Sequence, residues 1–191
     1  MNYNYFRDYE PGTGRYVQSD PIGLSGGIST YLYSNGRPTL DSDQTGLATH
    51  IITTYDKILG IRYGSHSAIY IDGEHGQPPF LYDPAGHFVP PNADRGGGGA
   101  FEGEEADLNA YIKYHKDDGS EVVIVKLPTN AVNEQVIKKR ADWNGDARGF
   151  TCASSVSYVA GGYCGGRISA TSRPGILKEM ADNAAQACRV K

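Results

Sequence analysis

From Ser65 to Ile71 the side chains alternate. His66, Ala68 and Tyr70 fall on one side of an extended chain, and Ser67, Ile69 and Ile71 fall on the other. That is the two-residue period of a strand. Asp72-Gly73-Glu74-His75-Gly76 reads as a turn, and Pro79-Phe80-Leu81-Tyr82-Asp83-Pro84 as the returning strand. The pattern predicts a hairpin with His66 on one arm and Asp83 at the end of the other. Ile51–Tyr55 is β-branched enough for a further strand, and Glu121–Leu127 reads as a buried one.

Helical spacing appears in four places. Glu104 to Tyr114 is predicted helical. Thr129-Asn130 caps a helix running through Trp143, with Val132, Val136 and Arg140 at four-residue spacing. A last helix is predicted from about Gly175 to Ala187. The fourth is Gly149-Phe150-Thr151-Cys152-Ala153-Ser154-Ser155-Val156-Ser157-Tyr158-Val159, where Val156 and Val159 are spaced to face one core and Cys152 falls in the first turn.

Residues 1–47 have a different texture. They hold six of the fourteen tyrosines, in short segments broken by Glu10-Pro11-Gly12-Thr13-Gly14, Asp20-Pro21-Ile22-Gly23 and Ser34-Asn35-Gly36. Aromatic stretches between Pro, Gly and Asn turns predict β-hairpins. So short a piece buries little core alone and is expected to be the end of a larger β structure. The division expected is 1–47 and 48–191, the second an α+β domain.

Composition narrows the function. The chain has 191 residues, 39% hydrophobic and 21% charged, with a net charge of -4. Its mean hydropathy is -0.47. A globular, water-facing protein follows, and the acidic balance supplies no basic stripe for nucleic acid. Lys138-Lys139-Arg140, the one tight basic cluster, reads as the wet side of a helix. No window reaches the roughly 18 apolar residues of a membrane span, and the N-terminus lacks the form of a signal peptide. Asp94-Arg95-Gly96-Gly97-Gly98-Gly99 lacks the Gly-Lys-Ser/Thr ending of a phosphate loop. Three cysteines leave at least one thiol unpaired; Cys164 and Cys188 are the pair available to an oxidising compartment. The spacing from Cys152 to Cys164 fits no short zinc pattern, so neither metal nor cofactor is expected.

Cys152 is the candidate for chemistry. At a helix start, unpaired N–H groups and the macrodipole favour a thiolate. A thiol nucleophile needs a base and a group that holds the base's tautomer, and His66 and Asp83 are the candidates. The expected oxyanion donors are the backbone N–H groups of Thr151 or Cys152. Ala68, beside His66 on its face, is expected to leave room for the small residues Ala153, Ser154 and Ser155. His87 is the reserve base. His75 and His115 sit in turn-like contexts, and Cys164 lies in a glycine loop without helix-end polarisation.

Two resemblances add to this reading. Tyr3-Asn4-Tyr5-Phe6-Arg7-Asp8-Tyr9-Glu10-Pro11-Gly12-Thr13-Gly14-Arg15-Tyr16-Val17-Gln18-Ser19-Asp20-Pro21-Ile22-Gly23-Leu24 closely resembles the end of the core of Rhs/YD-repeat proteins. The resemblance covers about residues 2–47. In that family a β-cocoon encloses a variable C-terminal toxin, which an aspartate-dependent self-cleavage frees. Pro38-Thr39-Leu40-Asp41-Ser42-Asp43-Gln44-Thr45-Gly46-Leu47 keeps the family's proline, aspartate and Gly-Leu, but has Gln44 where the family has proline. The resemblance implies Asp20 and Asp43 as the carboxylate pair and a cut after Leu47. Read without it, both aspartates are turn residues.

The order histidine strand, then cysteine helix, resembles the circularly permuted papain-like superfamily, which includes NlpC-type peptidases and lecithin:retinol acyltransferase-like enzymes. It implies a papain-like domain whose antiparallel sheet packs on the Cys-bearing helix. The implied function is a cysteine hydrolase toxin (peptidase, amidase or deamidase) in interbacterial competition. It would be a secreted effector without its own signal peptide, acting in the target cell's cytoplasm or periplasm. The implied partners are a cognate immunity protein, the Rhs cocoon and a protein or peptidoglycan substrate. Two other readings stay open: a toxin acting on nucleic acid or by ADP-ribosylation, and a non-catalytic Rhs tip.

Overall fold

The computed structural model describes residues 2–4, 7–10, 12–13, 15–19, 31, 48–73, 77–91, 93, 98–147, 151–163 and 166–188. Asp20, Asp43 and Leu47, the expected self-cleavage residues, lie outside the described residues, as do His75 and Cys164. The chain divides into two compact units, Met1–Gly46 and Leu47–Lys191.

In the first unit β1 (Asn2–Asn4), β2 (Arg7–Glu10) and β3 (Arg15–Tyr16) form an antiparallel meander in that order. Gln18 ties its end back to β2. The Gln18 amide donates to Asp8 Oδ2 at 3.0 Å, and its carbonyl accepts from Asp8 N at 2.7 Å.

The second unit is α+β. Strands β4 (Thr49–Ile58), β5 (Ile61–Ile71), β6 (Phe80–Asp83), β7 (Gly99–Glu102) and β8 (Glu121–Leu127) form one antiparallel sheet in the order β7-β6-β5-β4-β8. β4 and β5 are joined by Leu59-Gly60, with φ of 51° and 80°. Positive φ at both central residues matches the strand twist of a two-residue hairpin.

Alternation on these strands feeds two cores. Ile51, Ile69, Ile71, Phe80 and Tyr82 face one way, onto α2 (Ala131–Asn144), α3 (Cys152–Val159) and α4 (Pro174–Cys188). Ile52, Ala68, Tyr70, Leu81 and Phe101 face the other way, with Phe88 and α1 (Leu108–Asp117). The sheet is therefore covered on both faces.

Local chemistry explains the helix ends. Asp107 caps α1, accepting from Asn109 N at 2.8 Å and Ala110 N at 3.0 Å. Gly119, at φ 86°, lets the chain turn so that Ser120 N donates to His115 O. Asn130 and Asn133 cap α2 reciprocally, and Pro174 opens α4, where a missing N–H costs nothing.

The structure assigns the buried face of α2 and corrects two expectations. Val132 and Val136 are exposed, and the buried side of α2 is Glu134, Ile137, Ala141 and Asn144. Another helical stripe of the same residues packs better because Ile137 and Ala141 meet α3 and α4 in the core. The helix predicted to end at Tyr114 continues to Asp117, so His115 is helical rather than in a turn. Ala68 faces α1, while Ala153 packs in the opposite core, so the small residues of α3 do not approach across Ala68. Among the described residues no helix is long and apolar enough to cross a membrane.

Candidate active site

His66 and Asp83 project from neighbouring strands toward the α1 side of the sheet. The β5–β6 register pairs Ile69 with Tyr82 and Ile71 with Phe80. Extended by one residue, it sets Asp83 opposite Ala68, diagonal to His66, within reach of side chains on one face. His66 Nε2 meets Asp83 Oδ1 at 2.5 Å, and Asp83 is buried while the His66 side chain is 14% exposed.

Pro84 then ends the strand, having no N–H for the ladder. Ala85 turns at φ 55°. Gly86 lies against the carboxylate, where an added Cβ would stand 1.8 Å from Asp83 Oδ2 and 2.4 Å from Oδ1. Gly86→Ala is expected to push Asp83 off His66. Histidine titration by NMR should then show the His66 pKa falling from about 9 toward 6.5, with a loss of about 1–3 kcal/mol in urea unfolding from overpacking. An unchanged His66 titration would show that the loop yields instead.

Cys152 comes from the opposite face of the sheet. Because β6 stops at Asp83, the edge of β5 beyond it is open, and the start of α3 reaches His66 there. The half-buried thiol lies close enough to the His66 ring and to the backbone N–H groups of Ser67 and Ala153 for all three to favour its ionised form. Since Asp83 occupies Nε2, the ring has Nδ1 left for sulfur.

The loop before α3 is anchored to the same strand end. Asn144 Nδ2 donates to Tyr82 OH at 2.6 Å, Tyr82 OH donates to Gly145 O at 2.9 Å, and Ala85 N donates to Asp146 Oδ1 at 2.8 Å. Thr151 caps the helix through its hydroxyl, which accepts from Ser154 N at 3.2 Å.

Burial opposes charge on His66, but the Asp83 carboxylate and the Cys152 thiol outweigh it and raise the ring's pKa from 6.5 to about 9. Burial also opposes ionisation of Cys152. The hydrogen bond and charge of His66, helped by the two backbone N–H groups, nevertheless bring the thiol below its ordinary value. The two shifts run in the direction of a thiolate–imidazolium pair. For folding, the histidine's contribution is fully present below 6.5 and is lost as pH rises through about 9.

The structure thus brings Cys152, His66 and Asp83 together. His87 is exposed in the loop after β6. Two neighbours escaped the sequence reading. Tyr111 OH donates to Asp83 Oδ1 at 2.8 Å, and His115 stacks on His66 with centroids 5.8 Å apart and planes at 27°. Their four-residue spacing is the available signal, but a helix predicted to end at Tyr114 leaves His115 outside it. Cys188 is disulfide-bonded and Cys152 is a free thiol. Among the described residues no group of three or more His, Cys, Asp or Glu side chains is placed to hold a metal ion.

No family model and no solved structure matches the chain. Short stretches resemble known toxins. The chain is 46% identical over 52 residues to "Toxin protein Tse5" of Pseudomonas aeruginosa, covering 27% of this chain and 4% of that protein. It is 50% identical over 34 residues to "Double-stranded DNA deaminase toxin A" of Burkholderia cenocepacia, covering 18% and 2%. It is also 50% identical over 46 residues to "Probable deoxyribonuclease RhsB" of Dickeya dadantii, covering 24% and 3%. The matched stretches span only a few per cent of those proteins, and none is long enough to cover the Leu47–Lys191 unit. These partial likenesses support an Rhs-type polymorphic toxin C-terminus.

Proposed function

We propose that the chain is the C-terminal effector end of an Rhs-type toxin whose second unit is a papain-like cysteine hydrolase in permuted order. The observation that carries the reading is the contact set at Cys152: imidazole, two backbone N–H groups and, behind the ring, a buried carboxylate.

Cys152 is the nucleophile. Its Sγ attacks the carbonyl carbon of an amide, forming the C–S bond. His66 passes its proton to the leaving nitrogen as the C–N bond breaks. Water, giving a proton back to His66, then cleaves the thioester and frees the thiolate. Asp83 holds the Nε2 side of the ring. The N–H of Cys152, in a first helical turn where no intrahelical carbonyl takes it, receives the oxyanion. The substrate class is a peptide, isopeptide or side-chain amide of protein or peptidoglycan. No cofactor enters the scheme.

The rest of the reading follows from the Rhs resemblance. It assigns a cognate immunity protein and the cocoon as partners, and release after Leu47 by Asp20 and Asp43. It makes the chain a secreted effector working in the target cell's cytoplasm or periplasm.

A second reading, action on nucleic acid, is favoured by the names of two of the relatives. A zinc deaminase needs His and Cys ligands around its metal, and a nucleic-acid enzyme usually gathers basic charge. The net charge of -4 supports the thiol reading over this one.

Expressing the chain in bacterial cytoplasm or periplasm tests the choice. The thiol reading expects growth arrest in one compartment, lost in both Cys152→Ala and His66→Ala. Arrest that survives Cys152→Ala, with damaged or deaminated DNA, supports the second reading instead.

A further inference from the structure

Asp83 is a buried carboxylate with an uneven set of partners. Oδ1 faces two donors, His66 Nε2 at 2.5 Å and Tyr111 OH at 2.8 Å. Oδ2 is buried without a hydrogen-bond partner. A carboxylate fixed by one donor pivots about it; a second donor from another element fixes the plane.

Tyr111 comes from α1, across the core from the strand that carries Asp83, and is fully buried. Its ring is fixed by Phe88, edge-on at 5.1 Å, and by His115, edge-on at 4.6 Å. Burial first, and then the charge of Asp83, hold the phenol well above its ordinary pKa, so it remains a donor. His115 is one turn further on the same helix face and lies over the His66 ring. Burial and the charge of His66 keep it below the ordinary histidine value. A neutral ring beside the imidazolium adds no repulsion at neutral pH.

We propose that Tyr111 is a positioning residue for the thiol reaction. Its hydroxyl fixes the plane of Asp83 so that the carboxylate holds His66 with Nδ1 toward Cys152, while His115 limits tilting of the imidazole. The inference rests on the hydrolase reading but is tested without a substrate. The same α1 face therefore serves both as core and as the back wall of the site.

The test is an NMR titration of the histidine rings in the full chain, with His66 assigned by His66→Gln. In the unmodified chain His66 should titrate at about 9. In Tyr111→Phe, which keeps the ring packing, Asp83 is no longer held in place and the His66 pKa should fall by up to about one unit as the carboxylate swings off Nε2. In an Asp83→Asn background the same change should have no further effect. A His66 pKa that is unchanged or higher in Tyr111→Phe overturns the proposal and leaves Tyr111 a packing residue.

If the phenylalanine variant does not fold, 4-aminophenylalanine at 111 supplies a weaker donor on the same ring. A smaller fall is then expected, and no fall overturns the proposal. A different result, His66 titrating near 6.5 in the unmodified chain, would count against the hydrolase reading itself.

Discussion

Cys152→Ala and His66→Ala are each expected to lower turnover by at least about 10³-fold, and the double variant to be no slower than either single one. The reason is the shared proton. Cys152 owes its lowered pKa chiefly to His66, and His66 owes much of its raised pKa to Asp83 and Cys152. Once either partner is gone, the other has no pair left to lose. Asp83→Asn should be milder than either, because the thiol and ring still meet while the tautomer is no longer enforced. The check is steady-state cleavage of an amide substrate found by screening, or growth arrest as its surrogate. Losses that simply add would mean that Cys152 and His66 act separately.

His50→Leu is expected to destabilise the second unit by about 1–3 kcal/mol, the usual effect of leaving a buried polar group without its hydrogen-bond partner. His50 Nε2 lies 3.0 Å from Asp72 Oδ2, and the two side chains are 2% and 5% exposed. The pair ties the start of β4 to the chain leaving β5. Beside it Thr49, Thr129 and Glu134 form a second buried chain, with Oγ1 to Oγ1 at 3.0 Å and Thr129 Oγ1 donating to Glu134 Oε1 at 2.9 Å. Removing the imidazole leaves Asp72 Oδ2 buried without this hydrogen-bond partner. Replacing both residues by leucine should recover much of the loss, since no buried polar group is then left unpaired. Urea unfolding of the three variants checks this. A loss well under about 1 kcal/mol for His50→Leu would mean that water takes the place of the imidazole as partner of Asp72.

Strict alternation made the central hairpin legible, and side-chain chemistry marked several helix ends. Ser65–Ile71 has one period only, and Asn130 and Thr151 are capping residues standing where caps are needed. Which helix covers which face was not legible. Both sides of β5 are apolar near Ala68 and Ile69, so the pattern gives no rule for placing α3. Ala68 proved to face Tyr111 and α1. On α2 two stripes share the helical spacing, and only packing chooses Ile137 and Ala141 over Val132 and Val136.

The candidate site was more legible in its members than in its assembly. A thiol at a helix start, a histidine on a strand and an aspartate at the next strand's end were all readable. That β6 stops in time to open the edge of β5 to Cys152 depends on Pro84 and Gly86, which read only as a turn. Tyr111 falls inside the predicted helix, but its pairing with His115 did not show because Asp118-Gly119, and not Tyr114, ends that helix.

The pH dependence of Cys152 alkylation by iodoacetamide, read by peptide mass spectrometry in the full chain and in His66→Ala, is the most direct probe of the thiolate–imidazolium pair. The unmodified chain should reach half its limiting rate clearly below the ordinary thiol value of 9.0, and His66→Ala should move that midpoint up toward or beyond it, since burial is then opposed only by the two backbone N–H groups. Superimposed profiles for the two proteins would contradict the pairing and, with it, the proposed chemistry.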